Sequence, residues 1–167
     1  MFDFTKLTAR RQARTLGQVV QLGTLNSTLK GYVSIFDITG TAVTNLALNT
    51  WTKVVTNSVE GFTSNDFITA PNRITSTKKR RIVKLEVVIS VQSGASNNLH
   101  FAIYKNGVIH APSEQDLTTD GTGRSTSVPM QCITELLPGD FVEVWTKNAA
   151  HNTPVTLEHF HFIATEL

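Results

Sequence analysis

Cysteine is nearly absent from this chain. Cys132 stands alone among 167 residues, which excludes an intrachain disulfide framework and a zinc cluster built on several thiolates. No run of about 18 apolar residues occurs, so no transmembrane helix is expected. Residues 1–14 carry charges with no apolar segment behind them, so no secretory leader is expected and folding in a reducing cytoplasm is the simplest reading. Charged residues make up 17% of the chain, against a usual value of roughly 25%. Catalytic motifs are also missing. There is no Gly-x-Ser-x-Gly elbow and no His-Glu-x-x-His. Gly121-Thr-Gly123-Arg-Ser-Thr126 lacks the Gly-Lys-Ser/Thr ending of a phosphate loop and reads as a plain loop. Asp116, Asp120 and Asp140 read as loop residues without calcium-loop spacing. These absences argue against an enzyme.

What polarity there is comes from Thr, Ser and Asn, residues of strand surfaces and turns. Hydrophobic residues are 40%, enough for one domain that needs no disulfide or metal to hold its core. The charge is uneven. Residues 1–30 hold Lys6, Arg10, Arg11, Arg14 and Lys30 against one acid, Asp3, a net +4. Residues 31–167 hold ten basic and twelve acidic groups, a net -2. Lys6, Arg10 and Arg14 are four apart and would form one basic ridge on a helix. A solvated helix face explains such a ridge, and so does an acidic partner surface. Nucleic acid fits less well, because the charges form no long run and no aromatic residues interleave with them to stack on bases. We read residues 1–30 as an anchoring arm and residues 31–167 as the folded domain.

After residue 30 the pattern is one of strands and turns. Tyr32 to Ile38 and Trp51 to Thr56 are β-rich. In Arg81 to Gln92, Val83, Leu85, Val87, Ile89 and Val91 share one face while Lys84, Glu86, Ser90 and Gln92 share the other, with Val88 as the exception. Leu99, Phe101 and Ile103 alternate next, and Asn106-Gly107 signals a tight hairpin. Residues 111–124 read as a polar loop. Val128 to Leu137, Phe141 to Thr146 and Val155 to Ala164 read as further strands, with a turn at Pro138-Gly139-Asp140. Roughly eight antiparallel strands with regular turns predict an all-β sandwich or jelly roll.

Several segments carry a family likeness: Tyr32-Val-Ser, Trp51-Thr-Lys-Val, Phe101-Ala-Ile-Tyr-Lys-Asn-Gly107, Leu137-Pro-Gly-Asp-Phe-Val-Glu-Val144 and Phe160-His-Phe-Ile163. The series resembles the C1q/TNF-like jelly roll in the form found in phage structural proteins, over about residues 32–165. The resemblance implies a homotrimer packed on a three-fold axis, acting as a head decoration protein, head fibre or tail-fibre tip. Independently, both faces of the last strand are apolar or aromatic, so both need cover. Phe160, Phe162 and Ala164 are expected in the core. Val155, Leu157, His159, His161 and Ile163 are expected on the opposite face, and Leu157, His159, His161 and Ile163 are the candidate trimer interface.

His159-x-His161 would gather six imidazoles at such an axis, as metal sites do. No carboxylate at ligand spacing supports a metal there, so interface histidines bonded to backbone or water are expected instead. Lys78-Lys-Arg-Arg81 reads as a solvated strand end that blunts an exposed edge. Cys132 lies in an apolar strand as a small buried hydrophobe.

Together these readings predict a non-enzymatic virion protein on the capsid exterior, assembled in the host cytoplasm, with no cofactor, no metal and no membrane partner. It would be a trimeric decoration or cement protein whose residues Lys6, Arg10, Arg11 and Arg14 bind the major capsid protein. Nucleic acid is not an expected partner. The rivals are a head-fibre or tail-fibre module binding host glycans through exposed loops, and a small coat protein whose arm binds genome. A TNF-like signalling ligand is disfavoured by the missing leader.

Overall fold

The structure is a computed structural model that describes residues 30–40 and 42–167. The expected arm, with Lys6, Arg10, Arg11 and Arg14, lies outside the described residues. The chain from Gly31 forms β1 (Tyr32–Asp37), β2 (Ala42–Thr44), β3 (Thr52–Lys53), β4 (Val59–Thr63), β5 (Phe67–Ala70), β6 (Arg73–Ser76), β7 (Arg81–Gln92), β8 (Asn98–Lys105), β9 (Val108–Ile109), β10 (Gln115–Thr118), β11 (Ser125–Leu136), β12 (Phe141–Asn148) and β13 (Val155–Glu166). The helical element among the described residues is a three-residue 3-10 turn, Ala111–Ser113.

The strands make two sheets, and every strand pair is antiparallel. The first runs β11-β7-β13-β1-β4, with β2 also on β13. The second runs β10-β8-β12-β6-β5, with β3 on β12 and β9 on β8. Their inner faces share one core, in which Ile35, Leu85, Ile89, Phe160 and Phe162 of the first sheet meet Ile74, Leu99, Phe101, Ile103 and Val144 of the second. Strand β7 explains its own place. Its odd-numbered residues are buried and its even-numbered residues face outward, as its two-residue period requires. Cys132 on β11 points inward, and burial pushes its thiol up to about 11.

The two motifs that most resemble a known family meet in space. Asn106 and Gly107 both take positive φ, 52° and 78°, as a type I′ hairpin demands. Pro138 and Gly139 (φ 89°) form a turn closed by Asp140 N–H donating to Leu137 O at 3.0 Å. Asn106 then donates through Nδ2 to Asp140 Oδ1 at 2.7 Å, and Phe141 N–H donates to Asn106 Oδ1 at 2.9 Å. Each turn thereby holds the other.

Three expectations are corrected. Residues 111–124 are not one loop, because they include the 3-10 turn and the edge strand β10. Within Trp51–Thr56 the strand is only Thr52–Lys53, continued by one backbone hydrogen bond from Val54 N–H to Val144 O at 2.9 Å. Arg81 is not a solvated strand end. Its side chain is fully buried, with Nη1 3.5 Å from both Asp66 Oδ2 and Glu166 Oε2 and the guanidinium 4.7 Å over the Phe67 ring. It occupies an inward position of β7, so alternation carries it inside, where two carboxylates and a ring face compensate the charge.

Candidate subunit interface

The outer face of the first sheet is built by cross-strand register. Pro129 of β11 pairs with Val88 of β7. Val88 pairs with His161 of β13, His161 with Phe36 of β1, and Phe36 with Val59 of β4. One row thus crosses five strands without a charged carboxylate, guanidinium or ammonium. Val88 is 46% exposed and Val59 54%. Beside the row, His159 pairs with Ser90 and Ile163 with Glu86. Phe36, Ile38, Val88, His159 and His161 rim an open hollow of about 490 Å³.

Two local features shape this row. Strand β13 carries one extra residue. Leu157 pairs with Val91 and His159 with Ser90, which leaves Glu158 as the bulge. Gly61 on β4 lets the Phe36 ring lie against the backbone, since a Cβ there would stand 2.6 Å from Ser34 Oγ and 3.1 Å from the Phe36 ring. At the end of β1, Asp37 is 4% exposed. Its carboxylate accepts from Thr39 N–H (2.8 Å), Thr39 Oγ1 (2.6 Å) and Asn57 N–H (2.7 Å). Burial alone would raise the Asp37 pKa. These hydrogen bonds, with His159 nearby, outweigh it and hold the carboxyl below its ordinary value.

The outer face of the second sheet differs in kind. Glu143 is 3% exposed and accepts from Lys53 Nζ and Arg73 Nε, each at 2.7 Å. Burial would raise its pKa, but the hydrogen bonds and charges of Lys53 and Arg73 prevail and lower it. Arg73 also stacks 4.0 Å over Phe141. Tyr104 stacks on Trp145 with centroids 4.6 Å apart and meets the edge of Trp51 at 5.7 Å, while Lys147 sits 4.7 Å over Trp51.

No protein-family model and no curated protein matches the sequence. Solved structures do match the fold. PRD1 vertex protein P5 is 9% identical, with 81% of this chain and 95% of that chain covered and a TM-score of 0.52. Murine APRIL at pH 5.0 is 8% identical, with 83% and 100% covered and a TM-score of 0.57. Eiger TNF from S. frugiperda is 11% identical, with 83% and 94% covered and a TM-score of 0.54. The fold is a TNF/C1q-like jelly roll.

Within this jelly roll, the residues expected at a trimer interface do not share one face. His159 and His161 are exposed and Ile163 is half-buried, all on the outer side of the first sheet. Leu157 is 2% exposed and belongs to the core, as does Val155. The Glu158 bulge is the reason, because it reverses the side-chain phase between Leu157 and His159. Sequence reasoning missed Phe36, Val59 and Pro129, which join the histidines only through register. The signal that could have found the row was Val88, which with Ile82 is apolar yet out of phase on β7.

Proposed function

We propose that the chain is a homotrimeric, non-enzymatic structural protein of a virus particle, bound to the outside of the head shell and stabilising it. The observation that carries this reading is the row Pro129–Val88–His161–Phe36–Val59. An isolated sandwich would leave this apolar sheet face in water, and contiguous apolar surface of this kind marks association. The likeness to a phage vertex protein supports the virion setting. In this reading the first sheet closes the trimer and the arm reaches the shell. Lys6, Arg10, Arg11 and Arg14 lie on acidic patches of the major capsid protein. Each exposed ion pair contributes only about 0–1 kcal/mol, but three arms on one trimer raise their effective concentration and hold together.

The test has two parts. Light scattering should give three times the 18.4 kDa chain mass. Deleting residues 2–16 should leave that mass unchanged and abolish particle binding. A truncated protein that still decorates particles would remove the anchor assignment.

A second reading, an adhesion module for host glycans, is favoured by the Trp51–Tyr104–Trp145 group on the other sheet, since aromatic rings flanked by charged donors suit sugar stacking. Glycan-array binding, with no loss of particle stability when the protein is removed, would select it.

A further inference from the structure

Three side chains with metal-ligand chemistry converge at one edge of the second sheet. His100 of β8 and Asp116 of β10 are register partners. Glu114 lies two residues before Asp116, at the end of the 3-10 turn, in extended backbone that carries it to the same side of the strand. One donor atom from each residue, an imidazole nitrogen and two carboxylate oxygens, falls within 4.8 Å of the other two. His100 Nδ1 is 3.4 Å from Glu114 Oε1 and 2.5 Å from Asp116 Oδ1.

The histidine is what makes this more than an acidic cluster. Its Nδ1 is buried from water and makes no hydrogen bond. Asp116 Oδ1 stands 2.5 Å away as an ion-pair neighbour, without a hydrogen bond between the two atoms. Buried nitrogen atoms of this sort ordinarily find a partner. A cation between the three donors would supply one. Tetrahedral zinc bound through nitrogen and oxygen at about 2.0–2.2 Å sets its ligands about 3.4 Å apart. The His100–Glu114 spacing already matches that separation. Asp116, 66% exposed, is free to swing outward to reach it.

We propose that His100, Glu114 and Asp116 form a zinc-binding site that ties the edge strand β10 to β8. One nitrogen and two oxygens leave a fourth position for water, and this mixed donor set suits zinc better than an all-oxygen cation such as calcium. Lys147 Nζ stands 3.7 Å from Glu114 Oε1, beyond hydrogen-bond reach, so it offsets part of the negative charge without occupying the oxygen. The site lies on the sheet opposite the proposed trimer face and does not depend on that assignment.

The experiment is equilibrium dialysis of the full chain against zinc chloride, with metal content measured per chain. One zinc per chain is expected. His100→Ala and Asp116→Asn should each weaken binding at least tenfold, whereas the double variant His159→Ala, His161→Ala should bind as the parent does. Asp116 is exposed, so its variant keeps the test informative even where His100→Ala fails to fold. No zinc bound, zinc held equally well by Asp116→Asn, binding lost in the His159/His161 variant, or calcium bound in preference to zinc would each overturn the proposal.

Discussion

Val88 and Glu143 hold comparable places: each faces outward from an interior strand of its sheet. Glu143 is surrounded by its own chain, with Lys53 and Arg73 on its carboxylate and Phe141 beneath the arginine. Val88 has only other apolar or aromatic side chains beside it in its row, and half of it meets water. Among the described residues, Tyr32, Val59, Phe62, Ile82, Val88 and Ile133 are large, apolar and exposed on strands of the first sheet, against Ile68 and Val108 on the second. One face completes its interactions within the chain. The other leaves apolar side chains in water, and the trimer proposal covers them with a neighbouring subunit.

The largest effect should come from placing a charge in the apolar row. Val88→Asp is expected to convert the trimer wholly to monomer in sedimentation, with the far-ultraviolet spectrum of the sandwich preserved. An unchanged mass would mean that this face is not the interface and would erase the contrast between the sheets.

On the other face, Glu143→Ala should destabilise the fold by about 2–3 kcal/mol, because it strips a nearly buried acceptor from two cations that can still reach water. The oligomer mass should not move. The same carboxylate gives a pH dependence. Its folded pKa lies below the unfolded value, as do those of Asp37, Asp140 and Glu166. Their stabilisation is therefore fully present above the unfolded carboxylate range and is lost as pH falls through the lowered folded values. Urea midpoints should drop in acid, and Glu143→Ala should flatten that drop.

The smallest effect tests the fit of the apolar row alone. Gly61→Ala should push the Phe36 ring out of place and weaken trimer association several-fold in a dilution series, with a shift in melting temperature of only a few degrees. A large loss of stability would show that Gly61 serves the fold itself more than the face.

The sequence was a good guide wherever structure is local. Alternation gave β7 its ends and its buried face, and Asn106-Gly107 and Pro138-Gly139 gave their turns, because these depend on a few adjacent residues. Strand β10 escaped notice because Gln115-Asp-Leu-Thr is polar edge sequence in which Leu117 alone packs on the core. Arg81 was misjudged because a basic run looks solvated until Asp66 and Glu166 arrive from distant positions. The histidine pair was visible as a motif. Its neighbours Phe36 and Pro129 were not, since they reach it only across strands. Leu157 was misplaced because both phases of β13 are apolar, and nothing in that alternation marks an inserted residue.

That insertion makes β13 sensitive to length more than to chemistry. Glu158 acts like one extra letter in a line of print, and everything after it is read in a shifted frame. Removing it would turn the imidazoles inward and the phenyl rings outward without changing any other residue. Exchanges of Glu158 for another polar side chain should pass almost unnoticed, while losing the position altogether would turn the strand inside out.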